Sequence, residues 1–344
     1  MDHLTSLKIL KAQKVLQNYV VRTPLVHVPF LSRILSRNSR GVHFDVYFKC
    51  ENEQKSGAFK YRGDLFKLLS LPTKILKNGL VSYRNHALAL AFASRSISTT
   101  GHTDIPLHIF MSVGAPMEKI RAVRTQDAQV TVVASGGLDV CRELAVEEEK
   151  ATGALLIPPS DDPDVTTGHA TVVVEATQQM LDATGQAIDM IIAPCGGGSL
   201  LTGFAVWFEG SSTRIFAAEP ASGGPRLKES FGEGRRLLRH GALGTIADGL
   251  ATSVGERSWK ILHDNLQGSF EVDEEQTMEA MRLYSQNFTG VIEPSSAVGL
   301  AAAISGVETL AGLSNSRVVR LCIVLTGGNL TRQRYNCLSQ KLTI

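Results

Sequence analysis

Short runs of apolar residues that do not alternate with polar ones recur along this chain, each followed by a longer stretch with helical spacing. The runs at 45–49, 80–82, 107–111, 130–133, 190–193, 215–218 and 321–325 are too brief for helices and apolar on both faces. Such runs suit strands buried on both sides of a parallel sheet. The stretches between them include 58–71, 86–96, 138–151, 165–183 and 274–288, which read as helices. This alternation predicts an α/β protein with open, mainly parallel sheets. Sheets of that kind bind ligands at the carboxyl ends of their strands, so the loops entering the next helix are where chemistry should be sought.

Composition narrows the class. With 344 residues the chain can bury one large core or two linked ones. A net charge of +2 and the lack of any basic run interleaved with aromatics argue against a nucleic-acid partner. The five cysteines, Cys50, Cys141, Cys195, Cys322 and Cys337, show no close pairing, which suits a reducing compartment and leads us to expect a cytoplasmic protein. The start, MDHLTSLKIL, has no apolar core of a secretory signal, and no apolar run approaches the roughly 20 residues of a membrane helix.

Three strand-to-helix loops are chemically unusual: Ser56-Gly57-Ala58-Phe59-Lys60, Tyr83-Arg84-Asn85-His86 and Cys195-Gly196-Gly197-Gly198-Ser199. Consecutive glycines before a helix let backbone amides approach an anion, and phosphate is the natural guest; a flexible turn is the plainer reading. Neither GxGxxG nor GxxxxGK[ST] is present, so dinucleotides and nucleoside triphosphates are disfavoured. Lys60 falls in the first turn of an expected helix, where a cation is mildly unfavourable. It is either a solvated surface charge or an amine that an aldehyde converts to a Schiff base.

Taken with Arg22-Thr23-Pro24-Leu25, Lys49-Cys50-Glu51-Asn52, Tyr61-Arg62-Gly63, Ala218-Glu219-Pro220, Thr245-Ile246-Ala247-Asp248-Gly249, Ile292-Glu293-Pro294 and Thr326-Gly327-Gly328-Asn329, these loops follow one family's order. The chain resembles, over nearly its whole length, the fold type II pyridoxal-phosphate enzymes, in their serine racemase and serine/threonine dehydratase branch. The resemblance implies pyridoxal 5'-phosphate as cofactor and two open, mainly parallel three-layer α/β domains with the cofactor in the cleft between them. The small domain would be residues 80–157 and the large one 1–79 plus 158–344. Lys60 would carry the cofactor, with Phe59 packed by it and Asn85 on its ring hydroxyl. Backbone amides of Gly196, Gly197, Gly198, Ser199 and Leu200 would hold the phosphate. Thr326 would face the pyridine nitrogen, and Glu293 would lie near the cofactor. A neutral hydroxyl at Thr326 would not keep that nitrogen protonated, which favours elimination or proton exchange over transamination.

The substrate loop, Ser82-Tyr83-Arg84-Asn85-His86, departs from the family's Ser-Ser/Ala-Gly-Asn-His. Ser82, Tyr83, Arg84 and His86 are its substrate-binding candidates. Tyr83 stands where racemases place an acid/base serine, although an unperturbed phenol titrates only near pH 10; Arg84 could lower that value or pair with a substrate carboxylate. The alternative is that both side chains pack away from the substrate. The family's Gly-Gln-Gly-Thr appears as Gly168-His169-Ala170-Thr171; because histidine as a residue type suits proton transfer near neutrality, His86 and His169 are general-base candidates, though at His86 a structural role is the family's norm. The family's divalent-metal positions fall on Glu219, Gly223 and Pro225; proline supplies no side-chain ligand, so no metal is expected.

The expected activity is that of an ammonia-lyase of the dehydratase type, acting on a small β-hydroxy or related amino acid. The alternative is a racemase or epimerase using Lys60 and Tyr83 on opposite faces; β-replacement, or a cofactor-binding protein without turnover, are further options. The resemblance also implies a homodimer. The short stretch after Asn329 leads us to expect no appended regulatory domain.

Overall fold

The computed structural model describes residues 4–39, 41–83, 86–99, 104–115, 117–135, 137–239 and 244–340. Among the described residues ten strands form two sheets. The strands are β1 (Leu25–His27), β2 (His43–Cys50), β3 (Leu80–Tyr83), β4 (Leu107–Ser112), β5 (Gln129–Val133), β6 (Leu155–Leu156), β7 (Met190–Pro194), β8 (Arg214–Pro220), β9 (Gly268–Val272) and β10 (Val318–Leu325). The larger sheet runs β1-β2-β10-β7-β8-β9 and the smaller β5-β4-β3-β6. Every pairing is parallel except β1 on β2.

The unalternated apolar runs are explained by what covers the sheets. In β2, Phe44, Val46 and Phe48 face one core, and in β10 Leu321, Ile323 and Leu325 join them. Tyr47, Cys322 and Val324 point to a second core on the opposite face. Helices cover both sides of these strands over most of their length. A third core joins Leu80, Ile109 and Met111 of the smaller sheet to Leu65 and Leu68 of the helix Lys60–Ser70. The Lys60 helix therefore packs on the smaller sheet's core while entering from the end of β2 in the larger sheet.

Three strands lie outside the sequence expectation. β1 and β6 are three and two residues long, too brief to show a pattern. β9, at the edge of the larger sheet, is only partly buried and lacks the apolar run that marks its neighbours.

The Lys60 helix crosses the helix Pro163–Thr184 at two glycines. A β-carbon on Gly168 would lie 2.5 Å from the Arg62 carbonyl oxygen, and one on Gly63 would lie 2.4 Å from the His169 ring. Only backbone against backbone allows this approach. Beside the crossing, buried charges neutralise one another. Arg62 donates to Glu51 (2.8 and 2.9 Å) and Glu175 (2.8 and 2.8 Å), while Lys49 Nζ donates to Glu175 (2.9 Å) and to the Thr23 carbonyl (2.7 Å). Arg62, Lys49, Glu51 and Thr23 are thus motif residues with a structural task behind the Lys60 helix.

Candidate active site

The site gathers where β2, β7 and β10 end side by side. β2 passes through a 3-10 turn (Glu51–Glu53) into the Lys60 helix, and Lys60 is its first residue. This entry is tied to the end of β10 by backbone bonds: Phe59 N–H donates to the Thr326 carbonyl (3.1 Å) and Gly328 N–H to the Gly57 carbonyl (2.9 Å). Glu293 N–H donates to the Gly327 carbonyl (2.9 Å), which brings a third segment to the same point. β7 runs through the three glycines into the helix Ser199–Trp207, which begins on Gly198 without a side-chain cap. Its first amides consequently have no partner within the helix, and the helix dipole favours an anion there.

The glycines are required by the shape of this turn. Gly198 has φ of +90°, and a β-carbon on Gly197 would meet Ser160 Oγ at 2.4 Å. The result is a concave backbone cradle at a helix N-terminus.

One cavity is lined by Phe59, Lys60, residues 196–200, Glu293 and Thr326. Lys60 Nζ lies 5.2 Å from the centre of the Phe59 ring. Other candidates lie elsewhere. Ser82 Oγ donates to the Ile157 carbonyl (2.9 Å). Tyr83 is half-buried against the cluster of Val81, Phe110, Cys141 and Ala145 and is not among the cavity's lining residues. His86 is buried with Nδ1 2.9 and 3.0 Å from the two Asp64 oxygens. Arg84 and Asn85 lie outside the described residues.

Sequence reasoning missed the site roles open to Lys119, Ser160 and Ser295, which also line the cavity. Lys119, from the helix Met117–Arg124, forms an ion pair of 2.8 Å with Asp248. Burial works against its charge, yet Asp248 and Glu293 outweigh burial and hold the amine above the usual lysine range. Burial lifts the Glu293 carboxyl above the usual carboxylate range, with Lys119 opposing the rise. No local pattern marks Lys119, because its place comes from tertiary pairing alone.

A comparison with known families matches residues 16–327 to the family described as pyridoxal-phosphate dependent enzyme. The chain belongs to the pyridoxal-phosphate dependent enzymes. It is 32% identical to serine racemase from Arabidopsis thaliana over 94% of this chain and 92% of that one. It is 31% identical to L-threo-3-hydroxyaspartate ammonia-lyase from Saccharomyces cerevisiae, covering 95% and 94% of the two chains. Among solved structures, serine racemase from Dictyostelium discoideum superposes with a TM-score of 0.82 at 29% identity, over 95% of this chain and 99% of that one.

The residues of this enzyme fit pyridoxal phosphate. The glycine cradle offers backbone amides to a dianion, Lys60 offers an amine to an aldehyde, and Phe59 and Thr326 line the space between. The divalent-metal positions of the branch do not fit a cation. Glu219 accepts hydrogen bonds from the amides of Leu227 and Lys228 (2.7 and 2.6 Å) and from Ser269 Oγ (2.9 Å). The Gly223 carbonyl already accepts from Arg239 Nε (2.8 Å). Glu219 thus caps the helix Leu227–Glu233. No helix of the described residues is long and apolar enough to cross a membrane.

Proposed function

We propose that this enzyme is an ammonia-lyase of the dehydratase type, converting a small β-hydroxy amino acid to a 2-oxo acid and ammonia. The observation that carries this reading is Lys60 at the head of its helix, sharing one cavity with the glycine cradle and Thr326. Bound pyridoxal phosphate supplies an electron-withdrawing system for the substrate's α carbon. Lys60 is the lysine that carries the cofactor, and its amine takes the α proton. Residues 196–200 bind the phosphate through backbone amides, and Phe59 packs by the ring. Thr326 would face the pyridine nitrogen; its hydroxyl, being neutral, would not hold that nitrogen protonated as a carboxylate would, which would favour elimination over transamination. Glu293 lies at the cavity wall as a positioning group.

Similarity to an L-threo-3-hydroxyaspartate ammonia-lyase supports a β-hydroxy substrate. Similarity to a serine racemase supports racemisation as the second reading, but Tyr83 lies off the cavity wall and is a poor second base. Substrate contacts from Ser82, Arg84 and His86, and Asn85 on the cofactor's ring hydroxyl, belong to the same proposal. We take residues 80–157 as the small domain and 1–79 with 158–344 as the large one. A homodimer in the cytoplasm completes the reading, to which five free cysteines are suited.

The purified enzyme should carry a visible absorption band that Lys60→Ala abolishes. Incubation with L-serine, L-threonine and threo-3-hydroxyaspartate should release 2-oxo acid and ammonia from at least one. Deuterium entering the α carbon with inversion, and no 2-oxo acid, would move the assignment to the racemase. A colourless protein inert toward all three would remove both readings.

A further inference from the structure

Asp161 stands behind the glycine cradle in the left-handed backbone region, with φ of +64°. A residue other than glycine persists there only when its surroundings fix it. Its carboxylate accepts from the amides of Arg257 (3.2 Å) and Ser258 (3.0 Å) and from Ser258 Oγ (3.2 Å). Those amides open the helix Glu256–Asn265, which begins on Gly255 with no side-chain cap of its own. Asp161 thus caps that helix from a distant part of the chain, where a carboxylate also suits the helix dipole. Gly255 makes room for it, since a β-carbon there would lie 2.3 Å from the Asp161 carboxyl carbon.

The same residue reaches the cradle through its backbone. The Asp161 amide donates to Ser199 Oγ (3.2 Å), and the Gly255 amide donates to the Gly197 carbonyl (3.0 Å). The β-carbon position of Gly198 is 2.8 Å from Ser258 Cβ, so the capped helix lies directly against the cradle. Asp161 itself lines an outer cleft and is not among the cavity's lining residues, whereas Ser199 is buried and lines the cavity. A serine hydroxyl can accept and donate at once. The Asp161 amide engages the Ser199 oxygen as an acceptor, which leaves the hydroxyl proton to be given to another group.

We propose that the Ser199 hydroxyl donates to the cofactor's phosphate and that Asp161 is the positioning residue that aims it. The helix cap fixes the Asp161 backbone, the Asp161 amide fixes the Ser199 oxygen, and the proton turns toward the anion seated on the cradle amides. The inference rests on residues 196–200 as the phosphate site. It goes beyond that reading in naming a side-chain donor and the residue that sets its direction.

Titration of apoenzyme with pyridoxal phosphate and, separately, with pyridoxal isolates the phosphate's share of binding. Ser199→Ala should weaken pyridoxal phosphate about tenfold, as expected for one hydrogen bond to a charged group, and leave pyridoxal unchanged. Asp161→Gly accepts the left-handed backbone and keeps the amide but releases the helix cap. It should weaken pyridoxal phosphate several-fold, again without effect on pyridoxal, while Asp161→Asn, which keeps an acceptor oxygen, should stay near wild type. In the Ser199→Ala background Asp161→Gly should add little, because its influence passes through that hydroxyl. Equal losses for both ligands, or losses that multiply in the double variant, would overturn the positioning role. Unchanged affinity in Ser199→Ala would overturn the proposal outright. If Asp161→Gly does not fold, phosphorus-31 spectra of the holoenzyme decide. The phosphate resonance should move in Ser199→Ala and, by less, in Ser258→Ala, which loosens the Asp161 carboxylate; a resonance unmoved in either variant overturns the proposal. Gly198→Ala separates the two failures. If it weakens pyridoxal phosphate and Ser199→Ala does not, the cradle stands and the hydroxyl fails; if neither does, the cradle is not the phosphate site.

Discussion

Arg62 holds Glu175 by two hydrogen bonds of 2.8 Å, and both side chains are buried between the Lys60 helix and the helix that carries His169. Burial alone would raise the Glu175 carboxyl, but Arg62 and Lys49 outweigh it and hold the group below the usual carboxylate range. Glu175→Gln leaves two buried cations short of a counter-charge and should cost about 3–5 kcal/mol. A carboxyl with a depressed folded value stabilises fully above its unfolded value of about 4.3, and that contribution disappears as pH falls through the folded value. Denaturant unfolding should show the gap between wild type and variant narrowing in acid.

Gly198 is the second test. With φ of +90° and a β-carbon position 2.8 Å from Ser258 Cβ, Gly198→Ala is strained in both backbone and packing. We expect about 1–3 kcal/mol of destabilisation and a weakened hold on the phosphate. Titration of apoenzyme with pyridoxal phosphate should show the affinity falling about tenfold, equivalent to about 1.4 kcal/mol. Unchanged affinity would count against the cradle as the phosphate site.

Glu293 has the opposite sign from Glu175. Burial raises its folded value, so it destabilises the folded apoenzyme once pH passes the unfolded value of about 4.3. Glu293→Gln keeps the shape without the charge. Its stability should match wild type near pH 4 and exceed it above that pH. The gap should widen by about 1.4 kcal/mol per pH unit until the buried carboxyl itself ionises. Thermal melts of the two apoenzymes across pH measure the divergence.

The cation positions of the branch supply the fourth test. Arg239 holds the Gly223 carbonyl, and Glu219 is occupied by two amides and a hydroxyl. Chelator or added magnesium should therefore leave both activity and Tm unchanged. Arg239→Ala should lower stability by about 1 kcal/mol through loss of that bond. A Tm that rises with magnesium would show a cation site that the donor geometry argues against.

The sequence was most informative where a single strand or loop carries the message. β2, β7, β8 and β10 were readable because both faces are covered, so apolar residues dominate each run. The glycine cradle was readable because its conformation admits nothing larger. Lys119 was not readable, since only the packing of one helix across the cavity brings it to Asp248. Ser82 and His86 were named from their loop, yet the Ile157 carbonyl engages Ser82 Oγ and the Asp64 carboxylate engages His86 Nδ1, and both partners come from distant parts of the chain.

β10 has a consequence for synthesis. It lies in the interior of the larger sheet, between β2 and β7, and Thr326 at its end ties down the entry to Lys60. A ribosome delivers β2 and the lysine early and β10 late. Until β10 is released, β2 lacks one neighbour and the cavity lacks a wall. Cofactor loading should therefore wait for β10, and the open edges of β2 and β7 are open to wrong pairing meanwhile. Maturation of this enzyme should thus be timed by β10, with assembly of the site following it.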